Sequence, residues 1–161
     1  MRHRDHTEHE GMGRHPYAMF AVNILLSLVV MYFVMFSMID GWSDFRNNLN
    51  MLYMALTMVA PMGTIMLATM GGMYKRLNAL IHVGLVILLA VAFAGTRKQA
   101  LIGDRQFIAS MIPHHSGAIL MCGEAALKDP ELVALCSKIS RGQREEIEQM
   151  NAIQARLNDL D

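Results

Sequence analysis

Residues 104–122 read DRQFIASMIPHHSGAILMC, and the fold turns on how this stretch is read. Phe107, Ile108, Met111, His115, Ala118, Ile119 and Cys122 recur at helical spacing, about 100° per residue, so they share one face of a predicted helix. Asp104, after Gly103, is the expected N-cap. The stretch brings a carboxylate, a thioether, an imidazole and a thiol to that face, all metal-ligand types. Pro113 removes one backbone donor and is expected to kink the helix. His114 and His115 are neighbours and therefore point about 100° apart. His115 joins the stripe of Met111 and Cys122. His114 joins a second stripe with Met121, separated by the small residues Ser110 and Gly117.

A second helix answers the first. Lys128-Asp129-Pro130-Glu131 is a turn followed by a helix start, with Asp129 as N-cap and Pro130 at the first helical position. The predicted helix runs to Leu157, with an inward stripe of Leu132, Cys136, Ile139, Gln143, Ile147, Met150 and Gln154. In a tight antiparallel hairpin, residues at the same level have constant index sums. Cys122 then meets Cys136, His115 faces Gln143, and Met150 lies within about one turn of the level of Met111.

The pattern Asp104, Met111-Ile112-Pro113-His114-His115, Met121, then Gln143, Glu146-Ile147 and Met150 resembles the bacterial family known as domain of unknown function 305. The resemblance covers about residues 103–157. It implies a ferritin-like helical hairpin and, from the better-known members, an extracytoplasmic copper-binding protein. Many members carry the hairpin twice or as a secreted soluble protein; this chain carries it once, behind a membrane segment.

That segment is visible in the composition. The chain has 161 residues, no formal net charge, 53% hydrophobic and 17% charged residues, and the middle is nearly uncharged. This is the profile of membrane spans flanked by polar pieces. Zero net charge without a basic cluster argues against nucleic acid. Two cysteines define no disulfide scaffold.

Residues 1–16 form a polar, His-rich tail with His3, His6, His9, Met12 and His15, read either as a solvated tail or as a metal-binding tract. The membrane segment is assigned to residues 17–96, with spans at 17–39, 48–73 and 77–95. Trp42 and Phe45 suit an interface. The competing reading of the first span, a cleaved signal peptide, is disfavoured by its length and by the lack of a small-residue cleavage site. His82 lies inside the third span, as a functional group or a locally hydrogen-bonded one. With the N-terminus inside, Arg2, Arg4, Arg14, Lys75 and Arg76 flank the inner side, against Arg46, Arg97, Lys98 and Arg105 outside. That balance and the resemblance put the C-terminal hairpin outside a bacterial cytoplasmic (inner) membrane.

Sixteen methionines are the compositional outlier. Met51, Met54, Met58, Met62, Met66, Met70 and Met73 recur every three or four residues and fall in a sector about 160° wide. Met31, Met35 and Met38 add to them. Pro61 and Gly63 are expected to interrupt the second span and free backbone carbonyls. The ladder reads as packing filler or as thioethers that hold or pass Cu(I) or Ag(I).

The expected architecture is therefore all-α: three transmembrane helices, then an extracytoplasmic hairpin, a ferritin-like half-bundle, at 103–157. The expected function is copper binding, Cu(I) over silver, for metal homeostasis or tolerance. Met111, His114, His115, Met121 and Met150 are the candidate ligands, and Asp104, Gln143 and Glu146 orient or complete the site. Cys122 and Cys136 form a disulfide, a soft-metal pair or two small buried hydrophobes. No catalytic constellation is present, so no enzyme is expected. The rival readings are a non-catalytic membrane assembly protein with methionines as packing, and a thiol redox partner. A lone hairpin has a small core, so the open stripe of Ser110, His114, Gly117 and Met121 must be covered by a second subunit or by the membrane segment. A homodimer closing a four-helix bundle is the expected solution, with metal-handling proteins as further partners.

Overall fold

A computed structural model describes residues 15–70 and 75–159. Among the described residues the secondary structure is entirely helical: α1 (His15–Val34), a 3-10 turn (Met35–Met38), a second 3-10 turn (Trp42–Asp44), α2 (Leu49–Thr69), α3 (Lys75–Lys98), α4 (Asp104–Glu124) and α5 (Pro130–Asn158). The His-rich tail with His3, His6, His9 and Met12 lies outside the described residues, as does Met73. Three helices are long and apolar enough to cross a membrane: Pro16–Met38 (23 residues), Leu49–Thr69 (21) and Lys75–Lys98 (24). The second runs to Thr69, with residues 71–73 of the expected 48–73 outside the described residues, and the third extends past 77–95 at both ends. In its last turn Arg97 and Lys98 suit the negative end of the helix dipole.

The chain divides into two compact units, Met1–Tyr32 with Tyr53–Lys98, and Phe33–Leu52 with Gln99–Asp161. In the first, Phe20, Leu67 and Leu85 form a small buried cluster, joined by Ile24, Met66, Met70 and Ile81. Two glycines mark close approaches between the helices. A methyl group on Gly63 would sit 2.8 Å from Ile24 Cδ1 and 3.3 Å from Leu85 Cδ1, so this residue is where α1, α2 and α3 meet. Gly95 presses against the ring of Tyr53 in the same way, at 3.1 Å. Small residues at such contacts are how helices come together without a hydrophobic drive from water. Leu25, Ile65, Leu80 and Val91 point outward, exposed, as a lipid-facing surface requires. Pro61 and Gly63 do not interrupt α2, which is continuous. Proline costs one bond, and Gly63 is retained for its lack of a side chain.

In the second unit α4 and α5 lie side by side and antiparallel. Their contacts descend from Cys122–Cys136, through His115–Glu146, to the Arg105 guanidinium, which donates to the Leu157 carbonyl at 2.7 Å. Ile108, Ile112, Ile119 and Ile147 form the buried core, flanked by Met150, Ile153 and Leu157. Burying one such isoleucine stabilises by about 1.5–3 kcal/mol. Asp129 caps α5 as expected, accepting from the Leu132 amide at 2.9 Å, with Pro130 following. At the start of α4 the cap is Gly103, in extended conformation and without a side-chain bond. Asp104 is the first helical residue, an acid in the first turn and not the cap. There its charge still complements the helix dipole.

The segment joining α1 to α2 packs along α4. Proline has no N–H, so Pro113 leaves the Ala109 carbonyl without its intrahelical partner. The buried Asn48 amide donates to that carbonyl at 3.3 Å, while its oxygen accepts from the Met51 amide and caps α2. α4 passes through Pro113 as one continuous helix. Ser116, fully buried, donates to Asp44 Oδ2 at 2.6 Å and accepts from the Asp40 amide at 2.8 Å. The Gln106 side chain accepts from the Leu49 amide at 2.9 Å. Phe36 is buried, its ring 4.3 Å from Phe45. Phe45 is therefore half-buried inside the unit, whereas Trp42 is 86% exposed.

Candidate metal centre

His115 is the best-anchored polar side chain among the expected ligands. It sits on the buried face of α4, and its two ring nitrogens have different partners. Nδ1 lies 2.9 Å from the carbonyl of Met111, one turn earlier on the same helix. A carbonyl only accepts, so Nδ1 carries a proton and donates. Nε2 lies 2.7 Å from Glu146 Oε2 on α5. The pair is an ion pair whenever the ring is protonated, with a mostly buried histidine and a glutamate side chain 57% exposed.

Glu146, not Gln143, is therefore the residue opposite His115. Three residues of helix amount to about 4.5 Å of rise. The index rule matches levels along the axes, but side chains lean toward the N-terminus of their own helix. In an antiparallel pair the two leans converge. His115 tilts toward the level of later α5 residues, and the long Glu146 side chain reaches back to meet it. The cysteines, with short side chains near the turn, pair as the levels predict.

The remaining candidates do not gather on His115. His114 is exposed, its ring centroid 6.5 Å from that of His115 and its plane at 67°. Met111, one turn before His115, is half-buried. Met150 packs against the isoleucine core, so its thioether has a hydrophobic role already. Met121 is 60% exposed. Gln143 is half-buried and Asp104 exposed at the start of α4. Among the described residues no group of three or more His, Cys, Asp and Glu side chains is drawn together. Within one chain the N/O donors at this point are His115 and Glu146, with His114 beside them.

The stripe expected to receive a second subunit is partly filled from within. Ser110 is buried and accepts from the Asn50 amide at 3.2 Å. A methyl group on Gly117 would lie 3.2 Å from the Met38 carbonyl oxygen. The small residues thus accommodate the chain's own segment before α2, one of the two covers foreseen for that stripe. Only His114 and Met121 remain open on it. Sequence reasoning missed Ser116, Asp44 and Asn48. Pro113 did signal a carbonyl needing a donor, but nothing local names a donor so far along the chain.

On α2, Met54 and Met58 are exposed and Met51, Met62, Met66 and Met70 half-buried. Met66 and Met70 pack on the Phe20–Leu67–Leu85 cluster, which is the filler role. On α3 the half-buried His82 bonds through Nδ1 to the Asn78 carbonyl at 2.8 Å, so the local hydrogen bond foreseen as one of its two readings is formed.

Residues 95–154 match a family described as domain of unknown function (DUF305). The chain is also 32% identical over 139 residues to the uncharacterized protein L153 of Acanthamoeba polyphaga mimivirus, covering 81% of this chain and 91% of that protein. No solved structure matches it.

Proposed function

The chain belongs to the DUF305 family, and from that premise we propose that it is a non-catalytic, membrane-anchored protein that binds copper or silver through its C-terminal helical hairpin. The observation that carries the reading is the anchoring of His115. Donation of Nδ1–H to the Met111 carbonyl fixes the tautomer in which Nε2 is the ligating nitrogen. Metal-binding histidines are commonly oriented by such a bond. In the structure Nε2 donates to the Glu146 carboxylate at 2.7 Å, so a metal would displace that proton and take Glu146, itself a ligand type, as a second donor. His115 and Glu146 suit Cu(II), and the exposed His114 is an imidazole left over for a site shared with another copy. The thioethers of Met111 and Met121 suit Cu(I) and Ag(I). Met150 is the weakest of the candidate ligands because it is engaged in the core.

Further ligands would come from a second copy. Exposed His114 and Met121 support a homodimer that closes a four-helix, ferritin-like bundle, each chain adding its open donors to one site. The Cys122–Cys136 bridge and the distribution of Lys and Arg support an extracytoplasmic hairpin on a bacterial inner membrane. Homeostasis or tolerance is the role that fits, with other metal-handling proteins as donors or acceptors.

The test is copper titration of the full chain in detergent against a competing chelator, for both oxidation states. His114→Ala combined with His115→Gln abolishes the hairpin's copper equivalent, while alanine at His3, His6 and His9 leaves it. Equal losses from both sets overturn the assignment. Undiminished binding in the first variant, with helix content preserved by circular dichroism, favours the rival reading in which His115–Glu146 is a structural ion pair of an assembly protein.

A further inference from the structure

The Cys122–Cys136 bridge stands apart from everything else that fastens the second unit. It joins the last turn of α4 to the second turn of α5, with Cα atoms 5.3 Å apart across a separation of 14 residues. The isoleucine core involves neither cysteine. The segment before α2 and the first turn of α2 bond to Gln106, Ala109, Ser110 and Ser116, all earlier on α4. None of these core or polar contacts passes through the bridge.

The bridge is also accessible. Both cysteines are half-buried, and they line a cleft of about 300 Å³ whose other walls include Leu127, Val133, Ser137 and Ser140. Such a space admits a small thiol, and thiol–disulfide exchange depends on access to a sulfur. The residues that line it beside the cysteines are apolar or hydroxylic.

We propose that Cys122 and Cys136 are a reducible soft-metal site, opened by a low-molecular-weight thiol through this cleft and loaded with Cu(I) or Ag(I). A thiolate attacks one cysteine sulfur, forming a mixed disulfide and releasing the other cysteine as a thiolate. A second thiol attacks the mixed disulfide and frees the first cysteine. Two thiols are oxidised to their disulfide, and the bridge takes up two electrons and the two thiol protons. A soft cation then displaces those protons and binds between the two sulfurs. The site is separate from His115 and does not rest on the function proposed above.

The experiment uses the full chain in detergent, anaerobically, as bridged protein and after millimolar glutathione with the thiol removed. Alkylation followed by mass measurement counts free cysteines, and Cu(I) is titrated against a chromogenic chelator. Two alkylated cysteines are expected after glutathione, with unchanged helix content. The reduced chain takes one more equivalent of Cu(I) than the bridged chain, with copper–thiolate absorption in the near ultraviolet. The Cys122→Ser/Cys136→Ser chain lacks both the extra equivalent and the absorption. Val133→Trp, which narrows the cleft, slows opening by glutathione. A bridge that opens only in denaturant, or a reduced chain that gains no copper, overturns the proposal. Opening of the Val133→Trp chain at the parent rate overturns the cleft as the route.

Discussion

The two units of this chain hold their helices by different means. Around Gly63 three long apolar helices meet by close approach and a small apolar cluster, with the Tyr17 hydroxyl of α1 donating to Asn78 Oδ1 of α3, and Thr57 and Thr64 return their hydroxyls to carbonyls of their own helix. Along α4, contact between elements is polar and specific: Asp40, Asp44, Asn48 and Asn50 each bond to it. Lipid is as apolar as a leucine side chain, so helices in it gain little from hiding apolar surface and rely on fit. A unit in water gains from an apolar core, and each buried polar group left without a partner then costs stability.

That contrast can be broken by substitution. Ile112 is fully buried in the second unit and Leu67 is 2% exposed in the first. Ile112→Ala is expected to cost about 2–5 kcal/mol in denaturant unfolding. Leu67→Ala in the same detergent is expected to cost less, because the transfer part of that penalty is largely missing. Equal costs would remove the distinction. Next in size is Ser116→Ala, which removes only the hydroxyl and strands the Asp40 amide and the Asp44 carboxylate, at about 1–3 kcal/mol by the same measurement. An unchanged midpoint would mean that water replaces the hydroxyl. Smallest is replacement of Met58, Met62 and Met66 by leucine. Volume is nearly conserved, so packing alone predicts under about 1.5 kcal/mol per site. Loss of copper tolerance at preserved stability would instead make the thioethers functional.

Much of this was legible in the sequence. The uncharged run from Tyr17 to Ile39 announced a span because length and apolarity are local properties. Cys122 and Cys136 could be paired because short side chains near a tight turn follow helix levels. The His115 partner was missed by one turn because level-matching ignores the lean of long side chains. Glu146 stood among the auxiliary residues without its role. The bonds of Asn48 and Ser116 were illegible: partners 61 and 72 residues apart leave no periodic trace.

Pro113 has a consequence for how the protein is made. Its missing N–H is answered by Asn48, which leaves the ribosome 61 residues ahead of Ala109. The donor is already fixed between two spans when the helix that needs it emerges. Biogenesis thus has a direction: the connector is made first, and its Asp40 and Leu49 amides and the Ala109 carbonyl of α4 are satisfied together when α4 settles against it. A chain in which the order is reversed, with the helix pair moved ahead of the spans by circular permutation, would make α4 with its carbonyl unanswered and wait for the rest of the protein.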